Sequence, residues 1–125
     1  MLKESRKGKY NQNLEKVIKD IKKSGFHDIR ADYESYDSPA TLTSQDSDLA
    51  YVPDATAKNR LGHKFYFEIS NKISETSSLI HKWKLLDTLA RLRQGSLKIF
   101  VPHGTMRFTQ ELVNRHNIQA ELVKL

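Results

Sequence analysis

Apolar residues recur at helical intervals early in the chain: Leu14, Val17, Ile18 and Ile21 share one stripe, Lys16, Lys19, Lys22 and Lys23 surround it, and Gly25 follows. This spacing predicts an amphipathic helix over 11–24. The period then changes. Residues 26–36 read as a strand of mixed alternation, and the polar stretch after it, with Pro39 among several turn formers, reads as a mobile loop over 35–48. Strands are expected at about 49–58 and 64–70, the second (KFYFEIS) rich in aromatic residues. From Ile73 to Arg93 the positions Leu79, Ile80, Trp83, Leu86, Leu89 and Ala90 return to helical spacing, with Ser74 or Thr76 as a start and Gly95 as a stop. The almost uninterrupted apolar run SLKIFVP, 96–102, has the pattern of a central strand covered on both faces. A short helix over 109–117 and a strand over 118–125 complete the order α, β, β, β, α, β, α, β. The strand, long helix and strand over 64–101 imply a parallel pair joined by a crossover.

The 125 residues suit one domain, 1–125, of α/β class. A hydrophobic fraction of 38% and a charged fraction of 29% are those of a soluble globular protein. No apolar run approaches the roughly 20 residues of a membrane span, so no membrane partner is expected. The basic N-terminus leads into a polar stretch rather than the apolar core of a secretory signal. Cysteine is absent, which removes disulfides, thiolate zinc sites and thiol catalysis, and a cytoplasmic location is expected.

Net charge is +6, and it is arranged in blocks. Residues 1–25 carry 8 basic and 3 acidic groups, residues 26–56 carry 1 and 7, and residues 57–125 carry 12 and 5. Basic flanks fit a polyanion, and an acidic centre between them would repel phosphate unless a cation sat there. Solvation of helix faces accounts for the lysines and arginines equally well.

The stretch YVPDATAKNRLGHKFYFEIS places one acid in each arm of a hairpin, Asp54 and Glu68. Arg60, Leu61 and Gly62 fit a three-residue loop with Gly62 in the left-handed conformation. Cross-strand partners then sum to 122, which sets Asp54 opposite Glu68 with Cβ atoms about 5 Å apart. Like charges in that position repel. Either a hard divalent cation resolves the conflict or a lysine such as Lys64 pairs with one of the acids. A slip of one residue in the pairing would send the acids to opposite faces.

Pro53-Asp54, a short turn and Glu68-Ile69-Ser70 after the aromatic run resemble the PD-(D/E)XK nuclease superfamily, and the element order over about 11–102 resembles its restriction-endonuclease-like αβββαβ core. The resemblance implies a mixed central sheet flanked by helices, with the last helix and strand as an extension. It further implies Mg²⁺ or Mn²⁺ held by Asp54, Glu68, the Ile69 carbonyl and Glu15. The implied activity is phosphodiester hydrolysis, with DNA favoured over RNA as partner, and a homodimer is left open. The chain departs from the pattern at the motif lysine, where Ser70 stands. Lys72, Lys82 or Lys84 are the amines near enough in sequence to replace it, Lys72 being preferred as the catalytic one. A catalytically inactive binding or interaction module with the same fold is the alternative. Lys82, Lys84, Arg91 and Arg93 are expected to follow a phosphate backbone.

Other features weigh less. The five histidines show no HExxH spacing, His103 reads as a turn residue, and Trp83 reads as core. The absence of a P-loop, GxGxxG or GxSxG argues against nucleotide-binding folds and serine hydrolases.

Overall fold

The computed structural model describes residues 2–44 and 48–125, with side chains from residue 8. Helix α1 (Leu2–Lys23) begins well before residue 11. Leu14, Val17, Ile18 and Ile21 are buried against Ala31, Ala55, Ala57, Phe67, Ile69 and Phe100 of the sheet. Burial of each large aliphatic side chain contributes about 2 kcal/mol, so this stripe fixes how α1 lies on the sheet. Tyr10, one helical turn before Leu14, packs against the same cluster.

Strand β1 (His27–Ala31) is shorter than the expected 26–36, because the chain turns back at once and the Ala31 N–H donates to the Asp37 carbonyl at 2.9 Å. Within the stretch expected as a loop, β2 (Leu42–Thr43) pairs with β3 (Ala50–Tyr51); residues 45–47 lie outside the described residues. The strand expected over 49–58 is divided between β3 and β4 (Ala55–Lys58). Pro53, which has no N–H to give to a ladder, stands in the gap.

The hairpin to β5 (Lys64–Ile69) has the predicted register, with Ala55 opposite Phe67 and Lys58 opposite Lys64. Gly62 sits at φ +80° in its loop. Helix α2 (Ser77–Leu92) then crosses to β6 (Leu97–Val101), parallel to β5 as expected, and α3 (Met106–Arg115) leads to β7 (Ala120–Lys124), parallel to β6. The main sheet is five-stranded and mixed, in the order β1-β4-β5-β6-β7. Trp83, Leu86 and Ala90 of α2 and Leu112 and Val113 of α3 form a second core with Leu97, Ile99 and Val101. The α/β class follows: one mixed sheet with helices on both faces, plus the small β2–β3 sheet.

Gly95 closes α2 as expected, its N–H donating to the Ala90 carbonyl at 2.9 Å, and serves a second purpose as well. Gln94 takes the left-handed conformation, φ 63°, while Gly95 packs so closely on β5 that a Cβ there would fall 1.8 Å from the Lys64 carbonyl oxygen. Among the described residues no helix is long and apolar enough to cross a membrane.

Candidate functional site

Asp54 stands immediately before β4 and Glu68 is the second-last residue of β5, so the hairpin register brings them together at one end of the sheet. The backbone N–H of Asp54 donates to Glu68 Oε2 at 2.9 Å. Asp54 in turn accepts the Ile69 N–H on Oδ2 at 2.7 Å and the Tyr10 hydroxyl on Oδ1 at 2.6 Å. Glu68 Oε1 receives the Trp83 indole N–H at 3.1 Å and lies 3.1 Å from the Lys82 ammonium. Each helix packed beside the pair thus gives it donors: Tyr10 from α1, Lys82 and Trp83 from α2.

Burial dominates the electrostatics. Glu68 is only 2% exposed, and burial first, then the charge of Asp54, pushes its pKa up to about 8 against the pull of Lys82. Burial, followed by the charge of Asp54, also raises the Tyr10 phenol well above its ordinary value, so it remains a protonated donor.

The surroundings of Ser70 account for the absence of a lysine two residues after Glu68. It is fully buried, and its hydroxyl lies 2.6 Å from that of Thr109 on α3, which donates to the Thr105 carbonyl at 2.9 Å. A lysine there would be driven into the α3 interface without a place for its charge. The amine that reaches the acids is Lys82. Lys72 is exposed and lines a neighbouring cleft. Lys84, two residues beyond Lys82, is turned about 200° around α2 and is exposed. Arg91 is engaged by the buried Asp87 at 3.0 Å, and Asp87 also accepts the Gln119 N–H, tying α2 to the start of β7. Arg93 caps the C-terminus of α2. Glu15 faces Lys19 at 3.7 Å, and among the described residues no three His, Asp or Glu side chains form a group able to hold a metal.

Two members of the network were missed in the sequence. Tyr10 continues the α1 stripe, and that spacing was the available clue. Trp83 is core as expected, but a buried indole N–H needs an acceptor, and Glu68 is that acceptor.

Beside the pair, the loops that follow β5 and β6 border a cleft of about 710 Å³ whose lining includes Lys9, Tyr10, Asn71, Lys72 and His103. Tyr10 and Ile69 both line it and both donate to Asp54, so the cleft adjoins the acids. Its position beyond the carboxyl ends of parallel strands is where open α/β sheets commonly take ligands.

No family model, curated protein or solved structure matches the chain. Two acids, one ammonium and an adjoining cleft are therefore the features from which its chemistry is to be read.

Proposed function

We propose that this chain is a metal-dependent, nuclease-like domain of restriction-endonuclease-like architecture that hydrolyses phosphodiester bonds, DNA in preference to RNA. The observation that carries this reading is the convergence of Asp54, Glu68 and the Lys82 ammonium at the end of two adjacent strands. Element order supports it: α1, the antiparallel β1-β4-β5, α2 and the parallel β6 follow the αβββαβ sequence of that architecture. In this reading β2–β3 is an insertion, and α3 with β7 an extension.

The donor set suits a hard divalent cation such as Mg²⁺ or Mn²⁺, which takes carboxylate and carbonyl oxygens. An ionised carboxylate offers about four lone-pair sites. Among the described contacts, Asp54 uses one on each oxygen, and Glu68 keeps one on Oε2. These positions, with the Ile69 carbonyl, would hold the ion. In an extended strand the N–H and C=O of one residue leave by the same edge, so the carbonyl of Ile69 turns to the side on which its N–H meets Asp54. A cation bound there supplies the charge that activates water and offsets that of a phosphoryl group.

The chain's own groups do the rest. The Lys82 ammonium takes the part of the missing motif lysine, aimed where negative charge develops on the phosphate. Tyr10 holds one orientation of Asp54. Lys9, Lys72 and His103 line the cleft in which flanking phosphates would lie, while exposed Lys84 and Arg93 add salt-dependent contacts. Incubation with plasmid, single-stranded DNA and RNA in Mg²⁺ or Mn²⁺ tests the proposal: nicking should vanish in EDTA and in Asp54→Asn. Cleavage that survives both overturns it.

A second reading is a noncatalytic nucleic-acid-binding or interaction module. It is favoured by the fact that every carboxylate oxygen of the pair already accepts a hydrogen bond or faces a cation. Retention of DNA that weakens with salt, without nicking in any divalent ion, would select it.

A further inference from the structure

The two strands that oppose acids at one end oppose lysines at the other. Lys58 and Lys64 are direct cross-strand partners, a like-charge pairing that is unfavourable unless an anion lies across it. More positive charge is gathered around them. Arg30 is on the neighbouring β1, and Gly95 lies so close to the Lys64 backbone that Arg93, at the end of α2, is brought alongside.

Among the described residues, Asp28 pairs with two of these four cations, Lys58 and Arg30. The ladder between β1 and β4 is irregular between His27 and Arg30, and within that irregularity Asp28 takes the left-handed conformation, φ 52°. Irregularities of this kind re-aim side chains, and aspartate tolerates the conformation better than most residues. Asp28 lies 3.5 Å from Lys58 and 3.9 Å from Arg30, but all three side chains are more than 40% exposed. Such pairs are weak and readily exchanged for a better anion. Lys64 stands over the Tyr66 ring at 5.6 Å, which holds its stem in place. Burial, and after it the charges of Arg93, Arg30 and Lys58, pull the Lys64 pKa below the ordinary lysine value against the opposing charge of Asp28, as expected for a site in which cations outnumber their counter-ion.

We propose that Arg30, Lys58, Lys64 and Arg93 form a docking site for the phosphate backbone of a nucleic acid, separate from the acid pair. The two guanidinium groups offer forked donors that match phosphate oxygens, and backbone docking needs charge alone. The site lies four residues along β5 from Glu68, about 13 Å, roughly the axial rise of four base pairs. Both ends of the hairpin therefore lie within the footprint of one bound duplex. This inference rests on the nucleic-acid part of the proposed function and not on catalysis.

The test is fluorescence anisotropy of a labelled 20-base-pair duplex and a labelled single strand in EDTA, titrated with the full chain across a salt series. Lys58→Gln/Lys64→Gln should flatten the slope of log affinity against log salt for the duplex by roughly 2, with Kd at 0.1 M salt rising at least about tenfold. Removing two opposed charges relieves repulsion, so the variant should unfold no earlier than the parent; Lys58→Arg/Lys64→Arg, which keeps the charge, should restore binding. Affinity and slope equal to the parent's overturn the proposal. So does displacement of the duplex by polyglutamate at equal charge concentration, which would assign the patch to an acidic protein instead. Loss of binding in the double variant together with no cleavage by the parent in any metal rejects the nuclease reading alone. Normal cleavage with unchanged binding rejects this site alone.

Discussion

Asp54 and Glu68 are linked through the backbone: the N–H of Asp54 donates to Glu68 Oε2 at 2.9 Å, while the N–H that follows Glu68, that of Ile69, donates to Asp54 Oδ2 at 2.7 Å. Each acid therefore stabilises the strand end that carries the other. Their mutual repulsion is offset by two backbone N–H groups and the Lys82 ammonium, but Glu68 remains buried, and stability should register this.

The folded-state pKa of Glu68 stands at about 8, above its ordinary value of 4.5. Between these values the folded chain binds more protons than the unfolded one, so the contribution of this group to stability is complete below about pH 4.5. It is lost as pH rises, at up to about 1 kcal/mol per unit, and levels off above the folded pKa. Urea unfolding from pH 5 to 9 should show that decline in the parent and a flatter profile in Glu68→Gln. Parallel profiles would contradict it. If the pair holds a divalent ion as proposed, that ion takes up the ionised carboxylate, so stabilisation by Mn²⁺ should grow over the same interval.

Lys82→Met removes the cation that faces the buried Glu68. Above the Glu68 pKa the loss should be about 3 kcal/mol, and below it much less, since the acid then takes up a proton. Equilibrium unfolding at pH 6 and pH 9 separates the two regimes. If the pair holds a divalent ion, Mn²⁺ should recover more stability in this variant than in the parent, whatever happens to cleavage.

The acid pairing was legible in the sequence because a three-residue loop with glycine in the left-handed position sets register locally, and register alone decides which side chains meet. The parallel β5–β6 pair was legible for a similar reason, from a helical stretch between two apolar runs. Tyr10 and Lys82 were harder to assign. Each reaches the acids from a helix, and the rotation of a helix on a sheet depends on the packing of a whole stripe, such as Leu14 to Ile21 on α1. The division at Pro53 and the β2–β3 pair depend on contacts too short in sequence to leave a period. Gly95 shows the same limit: its role in closing α2, where its N–H meets the Ala90 carbonyl, was legible, whereas its close approach to Lys64 was not.

Ser70→Lys, which would place a lysine two residues after Glu68, should reduce stability by about 3 kcal/mol and leave any cleavage no faster. It buries an ammonium beside Thr109 and removes the Ser70–Thr109 hydrogen bond, while Lys82 already occupies the position next to Glu68. Ser70→Ala should cost only about 1 kcal/mol, the value of one buried hydrogen bond. Thermal unfolding of the two variants side by side tests the comparison, and equal losses would contradict it.

Tyr10→Phe isolates the contact between α1 and the acids. The ring stays in the core cluster, so the packing contribution is retained, and only the hydroxyl at 2.6 Å from Asp54 Oδ1 is lost. Stability should fall by about 1 to 2 kcal/mol, the cost of leaving a charged, partly buried acceptor short of one donor. That oxygen then has a second lone pair open, so a cation shared by Asp54 and Glu68 should bind more tightly. Mn²⁺ titration followed by calorimetry at pH 8 should show a lower Kd in Tyr10→Phe than in the parent and no binding in Asp54→Asn. Equal affinities in all three would mean that the ion sits elsewhere, and the acid pair would then be an internal strut closing the sheet against α1 and α2.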